Sequence, residues 1–418
     1  MKGYRYFFPL MILAMAFFII GFSVGINGIM IPVLEKTFTL SKKMSYFILF
    51  ATFSAFFIFA IPSGVIIKKM GYRKSIVLAL VIMSFSMFSF IFCAKKYDSI
   101  LGFYLYIIIS FFAGIGNTLL QTAINPYVTI YGPSEKAAQR MCIMGIMNQL
   151  AWFLGPIFLG LFIDVKDPAI ENAVIPFSIA GSLILFLSVL IYFFPLPEIS
   201  ESGENKDAMN LVGTRLENKI AVVNAKPNVF YFPHLFLGMI AILIYVGVET
   251  LPMASVIDFA ISMNKENPTY YSVLPPFGMI IGYIFSTIIL QYVNQNKALA
   301  SFSLLALIFS VVIILSPAQI AIYFFLALGF ANSIMWGCLW ALTINDLGRH
   351  TKVASSVLVI GMIGGAVIPI IFSSILESNN WDLMNVSANF QKAYLILIPS
   401  YLYILFYSLL GYKIGRSF

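Results

Sequence analysis

Charge is what this sequence has least of. Asp, Glu, Lys and Arg make up 10% of its 418 residues, where soluble domains carry about a quarter. Hydrophobic residues account for 61% and the mean hydropathy is +0.95. A soluble globular domain is excluded, and the chain reads as an integral membrane protein. Cysteine is scarce as well: Cys93, Cys142 and Cys338 fall in or beside apolar runs without metal-ligand spacing, so neither a disulfide framework nor a zinc site is indicated. The two histidines, His234 and His350, lie near helix ends and far apart. With no nucleophile, base or metal cluster at membrane depth, no enzyme and no cofactor are expected. No Lys or Arg falls at mid-membrane depth, which leaves a multiply anionic solute without a partner and favours a neutral or cationic one. Sustained polar sequence is confined to Pro195–Asn228, too short for an appended sensor domain.

What is present is apolar and aromatic, with 41 Phe, 22 Tyr and 19 Met. The apolar runs are of helix length, unlike the roughly ten-residue alternation of a membrane barrel. Spans are predicted near 7–34, 44–67, 74–94, 99–131, 141–163 and 173–194, then near 229–260, 269–293, 298–316, 318–345, 353–377 and 391–411. The N-terminus has the basic start of a signal peptide, but its apolar run continues past any small-residue cleavage site and reads as the first span. The fold class is therefore all-α integral membrane: an N-terminal half at 1–194, a linker at 195–228 and a C-terminal half at 229–418. The net charge of +8 sits in short loops rather than on one basic face, so nucleic acid is not a partner. With the N-terminus inside, seventeen of the 25 Lys and Arg fall on the inner side and eight on the outer, which predicts cytoplasmic termini and a cytoplasmic linker.

Within GIGNTLLQTAINPYVTIYGP, Gly114 to Pro133, the amides Asn117, Gln121 and Asn125 recur every fourth residue and line one helix face. Lipid would leave that face unsatisfied, so it must meet other helices or a water-filled cavity. Glu249 is the acid deepest within a span and the candidate for ion coupling, since a buried carboxylate with access to either side can carry a proton. The plainer reading makes it a structural carboxylate satisfied between helices. A neutral polyol needs amides and hydroxyls that both donate and accept, with an aromatic face against its ring. Asn27, Asn117, Gln121, Asn148 and Asn332 supply the first, and Tyr245, Trp336, Trp340 and Trp152 the second. Against this stands helix glue, about 0.6 to 2 kcal/mol per contact. Asn125, followed by Pro126, reads as helix-end structure, and Trp381 as an interface anchor. Gly361, Gly364 and Gly365, with Pro252, Pro275 and Pro276, allow close packing or bends.

Six spans, a cytoplasmic loop and six more resemble the plan of the major facilitator fold, whose halves rock around a midplane site. The loop PSGVIIKKMGYRKSI, with Pro62, Gly64, Lys68, Lys69, Gly71, Arg73 and Lys74, resembles the motif that superfamily carries between spans 2 and 3. LLQTAINPYVTIYGP is similar to the fourth-helix signature of the fucose permease and glucose/galactose transporter family of bacterial sugar symporters. Asn27 with Ile31 and Pro32, Arg140 with Asn148, YVGVE at Tyr245–Glu249, NSIMW at Asn332–Trp336 and SSVLVIGMIGGAVIP at Ser355–Pro369 resemble further stretches in the same order. Departures accompany these matches. Gly28 stands where the fucose-permease type carries an acid, Gln121 where it carries Glu, Gly145 where a family Gln falls, and Gly282-Tyr283 where the family has Gly-Arg. Both acids that the resemblance would place in the first half are thus replaced, which turns attention to Glu249.

The resemblance implies a secondary transporter of the bacterial inner membrane that imports a sugar or sugar-like neutral solute by alternating access. The coupling ion stays open between a proton and sodium, and an uncoupled uniporter stays open beside them. The alternative is a transporter of another solute class: a siderophore-like metabolite, a drug or a cation paired with Glu249.

Overall fold

The computed structural model describes residues 4–95, 100–130, 137–193, 228–344, 347, 351–378 and 386–416. The linker at 195–227, Tyr131–Pro133 of the span-4 motif, His350 and Trp381 lie outside them. Eleven described stretches are long and apolar enough to cross a membrane. Hydrocarbon offers no partner to a backbone amide, so each stretch closes its own N–H···O=C ladder as a helix.

The first span is α1 (Tyr4–Gly25) continued by α2 (Asn27–Thr37). Next, α3 (Lys42–Ala94) runs for 53 residues, about 80 Å at 1.5 Å per residue and over twice a hydrocarbon core of about 30 Å. It is two spans. The chain turns at Gly71, whose φ of 79° and ψ of 168° place it where only glycine sits without strain. That division brings the spans to twelve, and it falls between the ranges 44–67 and 74–94 read from sequence. Ser41 caps the start of α3 by accepting from the Met44 N–H at 3.3 Å. Single helices form the next three spans: α4 (Ile100–Ile130), α5 (Ala137–Gly160) and α6 (Val174–Phe193). At the Gly71 turn, Arg73 donates to the carbonyls of Ile191 and Tyr192, the last turn of α6. The motif cation thereby satisfies helix-end carbonyls and their dipole.

The second half repeats the plan with α7 (Pro233–Ser262), α8 (Leu274–Ile289) and α9 (Gln295–Leu315). Broken spans follow: α10 (Phe324–Asn332) with α11 (Met335–Ile344), α12 (Thr351–Ile360) with α13 (Gly364–Ser378), and α14 (Val386–Ala393) with α15 (Leu397–Leu409). Pro275 and Pro276 sit in the first turn of α8, where a missing N–H costs nothing, so they start that helix rather than bend it. Gln391 donates to the carbonyls of Ile313 and Ser316 at 2.7 Å each and closes the end of α9. Gly364 meets α7 so closely that a Cβ there would lie 1.7 Å from the Leu243 carbonyl oxygen.

The halves touch through α2 on α7, α3 on α13 and α5 on α8. Every residue of Asn27–Leu34 in α2 is buried. In α7, Tyr245–Ala260 is buried except for Glu249, whereas Ile240, nearer the start of the helix, is 39% exposed. The bundle is therefore shut between its halves at the end carrying Thr37 and Ser262, opposite the chain termini.

Replacing Gly71 with Val should lower stability by about 1–3 kcal/mol, the cost of a side chain in that backbone region. Gly337 in α11 has no atom within 4 Å of where a Cβ would stand, so Gly337→Ala should leave the protein as stable or raise it by up to about 1 kcal/mol. Thermal unfolding of both variants in one detergent checks the contrast.

Candidate functional site

The amide line of α4 divides on folding. Gln121 donates its Nε2 to Asn117 Oδ1 at 3.0 Å, Asn117 donates to Ser23 Oγ at 3.3 Å, and Ser23 donates to the Ile20 carbonyl at 3.0 Å. Asn117 thus binds α4 to α1, and Gln121, on the same helix as Asn117, extends the relay of donors. Asn125 differs: both its side-chain polar atoms are buried without a hydrogen-bond partner. Asn27 accepts from Tyr106 Oη at 3.5 Å, Asn148 donates to the Phe17 carbonyl at 3.2 Å, and Asn332 accepts from Tyr401 Oη at 2.8 Å. Every one of these bonds stays within one half of the molecule. They hold helices together; Asn148 is the part-exposed amide of the set, and Gln121, 8% exposed, is the least buried of the others.

The polar contact that crosses at mid-depth comes from Gln149, next to the predicted Asn148. Its Nε2 donates to Glu249 Oε1 at 3.0 Å, joining α5 to α7. Helical phase explains why neighbours diverge, since adjacent side chains point about 100° apart. Asn148 and Trp152, four apart, face α1 at Phe17 and Gly25. Gly145, Gln149 and Phe153 form the other stripe and meet the second half at Tyr283, Glu249 and Phe277. The signal for Gln149 was its four-residue spacing from Gly145, and it becomes readable once that face is known to be the seam.

Around Glu249 the second half supplies aromatic rings. Tyr245 is fully buried, and its hydroxyl lies beside Glu249 without a partner at hydrogen-bonding geometry. Its ring stands 6.2 Å from Trp336, which stands 5.4 Å from Trp340. Both tryptophans and Glu249 are part-exposed deep in the bundle, so Tyr245 backs a wall whose surface is presented by the indoles. Tyr283 packs directly on Gly145, where a Cβ would lie 2.7 Å from its Cζ. The two departures from the family pattern in α5 and α8 therefore meet, the large ring filling the space that glycine leaves. The nine predicted site residues do not converge on one point. Glu249, Tyr245, Trp336 and Trp340 come together at the seam; Asn27, Asn117, Gln121 and Asn148 line the first half, and Asn332 is held behind by Tyr401.

At the shut end lies a charge cluster that sequence reading passed over. Lys42 Nζ sits 2.6 Å from Glu35 Oε2 in its own half and 3.2 Å from Asp258 Oδ1 across the seam. Asp258 is 2% exposed. Lys42, outside the predicted span 44–67, is the first residue of α3, and it supplies the counter-charge that the buried Asp258 carboxylate needs.

Comparison with known proteins places this geometry in context. The sequence pattern of the Major Facilitator Superfamily matches residues 13–369. The "Glucose/galactose transporter" of Brucella abortus biovar 1 (strain 9-941) is 29% identical over 422 residues, covering 98% of this chain and 95% of that protein. The "L-fucose-proton symporter" of Escherichia coli (strain K12) is 23% identical over 388 residues, covering 87% and 85%. Among solved structures, the Major Facilitator Superfamily transporter FucP in the outward conformation superposes with a TM-score of 0.70 at 21% identity, covering 99% of this chain and 100% of that one.

Lys42→Met leaves Asp258 buried and unpaired, at a cost of about 3 kcal/mol. The double variant Lys42→Met with Asp258→Asn removes both charges and should recover most of that loss. A double-mutant cycle on thermal unfolding reads the coupling, and independent effects of the two changes would show that the pair does not hold the seam.

Proposed function

The chain belongs to the Major Facilitator Superfamily, and from that premise we propose that it imports a sugar or sugar-like neutral solute by alternating access, with Glu249 carrying a coupling proton. The observation that carries this reading is the position of Glu249. It is a part-exposed carboxylate at the seam between the halves, hydrogen-bonded by Gln149 and flanked by the Trp336–Trp340 wall. In this reading the halves are residues 1–194 and 229–418, joined by a linker at 195–228. The membrane is the bacterial inner membrane, with termini and linker on the cytoplasmic side. The shut end then faces outward, and the molecule stands in an arrangement closed to the exterior.

Gln121 and Asn148 offer amides to the solute hydroxyls, while Trp336 and Trp340 offer faces to the apolar side of its ring. Asn27, Asn117, Tyr245 and Asn332, all buried, hold these groups in place. Gln121 cannot titrate, so it binds without carrying a proton. Glu249 remains to link solute movement to the proton gradient: a carboxyl inside the bundle that is reached from one side at a time takes up a proton on one side and releases it on the other. The glucose/galactose and fucose-proton names of the relatives support the sugar class and the choice of proton over sodium.

Uptake into proteoliposomes tests the proposal. A monosaccharide should accumulate only when a pH gradient is imposed, and Glu249→Gln should abolish accumulation while sparing exchange. Equal accumulation with and without the gradient would refute proton coupling. In a binding screen of monosaccharides, Gln121→Ala should weaken the best ligand about tenfold, or about 1.4 kcal/mol. Preference for a lipophilic cation over every sugar would instead assign Glu249 the part of a counter-charge.

A further inference from the structure

The contact between Gln149 and Glu249 asks why an amide, rather than a cation or a hydroxyl, faces the coupling acid across the seam. Gln149 is 2% exposed, and only one end of its amide is used: Nε2 donates to Glu249 Oε1, while its own Oε1 is buried without a partner. An amide presents a donor and an acceptor on one planar group. Toward an ionised carboxylate it donates through Nε2, as observed. Toward a protonated carboxyl, a half-turn about the last side-chain bond brings Oε1 forward to accept the carboxyl O–H. One hydrogen bond is exchanged for another, and the proton stays on Glu249.

We infer that Gln149 is a positioning residue that lets the two halves close on Glu249 in either protonation state, so that closure at this seam neither requires nor expels a proton. The inference rests on the reading of Glu249 as the proton site. A cation in this place would close only on the carboxylate, and a second acid only on a pair that shares a proton, because adjacent carboxylates at about 3 Å cannot both ionise. A symporter must change sides loaded and must also return empty, and an amide serves both journeys. Among the described residues no other group around Glu249 fills the role. Tyr245 on its own helix, Tyr283 on α8 and Tyr401 on α15 are its titratable neighbours. All three are neutral phenols belonging to the same half as Glu249, so none of them links it to the other half.

Closure can be read without any solute. Met253, on the wall of α7 that faces Gly28, is 4% exposed and becomes reachable only when the shut end opens. In a full-length chain with Cys93, Cys142 and Cys338 changed to Ser, Met253→Cys is labelled by a membrane-impermeant thiol reagent between pH 5.5 and 8.5. Each rate is divided by that of the Gln149 parent at the same pH. Gln149→Met removes the contact in both protonation states and should speed labelling at both ends of the range, by the larger factor at pH 8.5, where the lost bond is charge-assisted. Gln149→Glu should label like the parent at pH 5.5 and at least tenfold faster at pH 8.5, since closure then has to take up a proton. A Gln149→Met factor of one at either end of the range would overturn the inference, because the amide would then serve one state only. A pH-independent Gln149→Glu factor would overturn it too, by denying that the two side chains meet. Should the buried Glu prevent folding, the Met arm decides alone. Failure of sugar uptake leaves these rates readable, so the two readings fail separately.

Discussion

Hydrocarbon cannot hydrogen-bond, and nearly everything in this molecule follows from where its few polar groups find partners. The backbone solves the problem locally by coiling into helices. Side chains must solve it between helices: Arg73 closes the end of α6, Gln391 closes the end of α9, and Tyr401 satisfies Asn332. Serines within spans return their hydroxyl protons to carbonyls of their own helix or of a neighbour, as Ser84 does to Gly181 at 2.7 Å. Such bonds are modest in strength, but leaving the same groups bare would cost more.

That accounting separates the glue from the seam. Bonds inside one half can persist while the halves move; bonds that cross must be remade. The crossing contacts described here are polar at two levels of α7. Glu249 meets Gln149 at mid-depth, and Asp258 meets Lys42 at the shut end. Between and around them the contact is made by close-packed surfaces, with Phe53 on Gly365, Tyr283 on Gly145 and Tyr46 near Phe372. Ring-on-glycine contacts interlock while the halves are together and involve no directional bond, so they part without stranding a polar group. Glu35 contributes in the same sense at the charge cluster: Lys42 keeps a carboxylate partner in its own half when Asp258 moves away.

The site proposed for the solute is assembled from both halves, and neither is sufficient. The first half brings amides that are already linked into a relay from Gln121 to Asn117 to Ser23, which holds them in orientation before any solute arrives. The second brings two part-exposed indoles over a buried tyrosine, and the acid. Preorganised amides on one side and an aromatic wall on the other suit a ring with hydroxyls at its edge and an apolar face.

The architecture was legible in the amino-acid sequence because lipid imposes it one segment at a time. Apolar length alone marks a span, cation placement alone suggests its orientation, and Gly71 among Lys68, Lys69, Arg73 and Lys74 marks the one place where a 53-residue helix must turn. Glu249 was legible for the same reason: an acid inside a span is conspicuous wherever its neighbours lie. What tertiary structure decided is which polar side chain faces which partner. Asn148 and Gln149 are adjacent amides of equal chemistry, and 100° of helical phase sends one to α1 and the other across the seam. Asp258 and Lys42, 216 positions apart in number, read as peripheral charges until packing buries the one and brings the other to it. Periodicity assigns a residue to a face of its own helix, but only the packing of helices from both halves determines what that face meets.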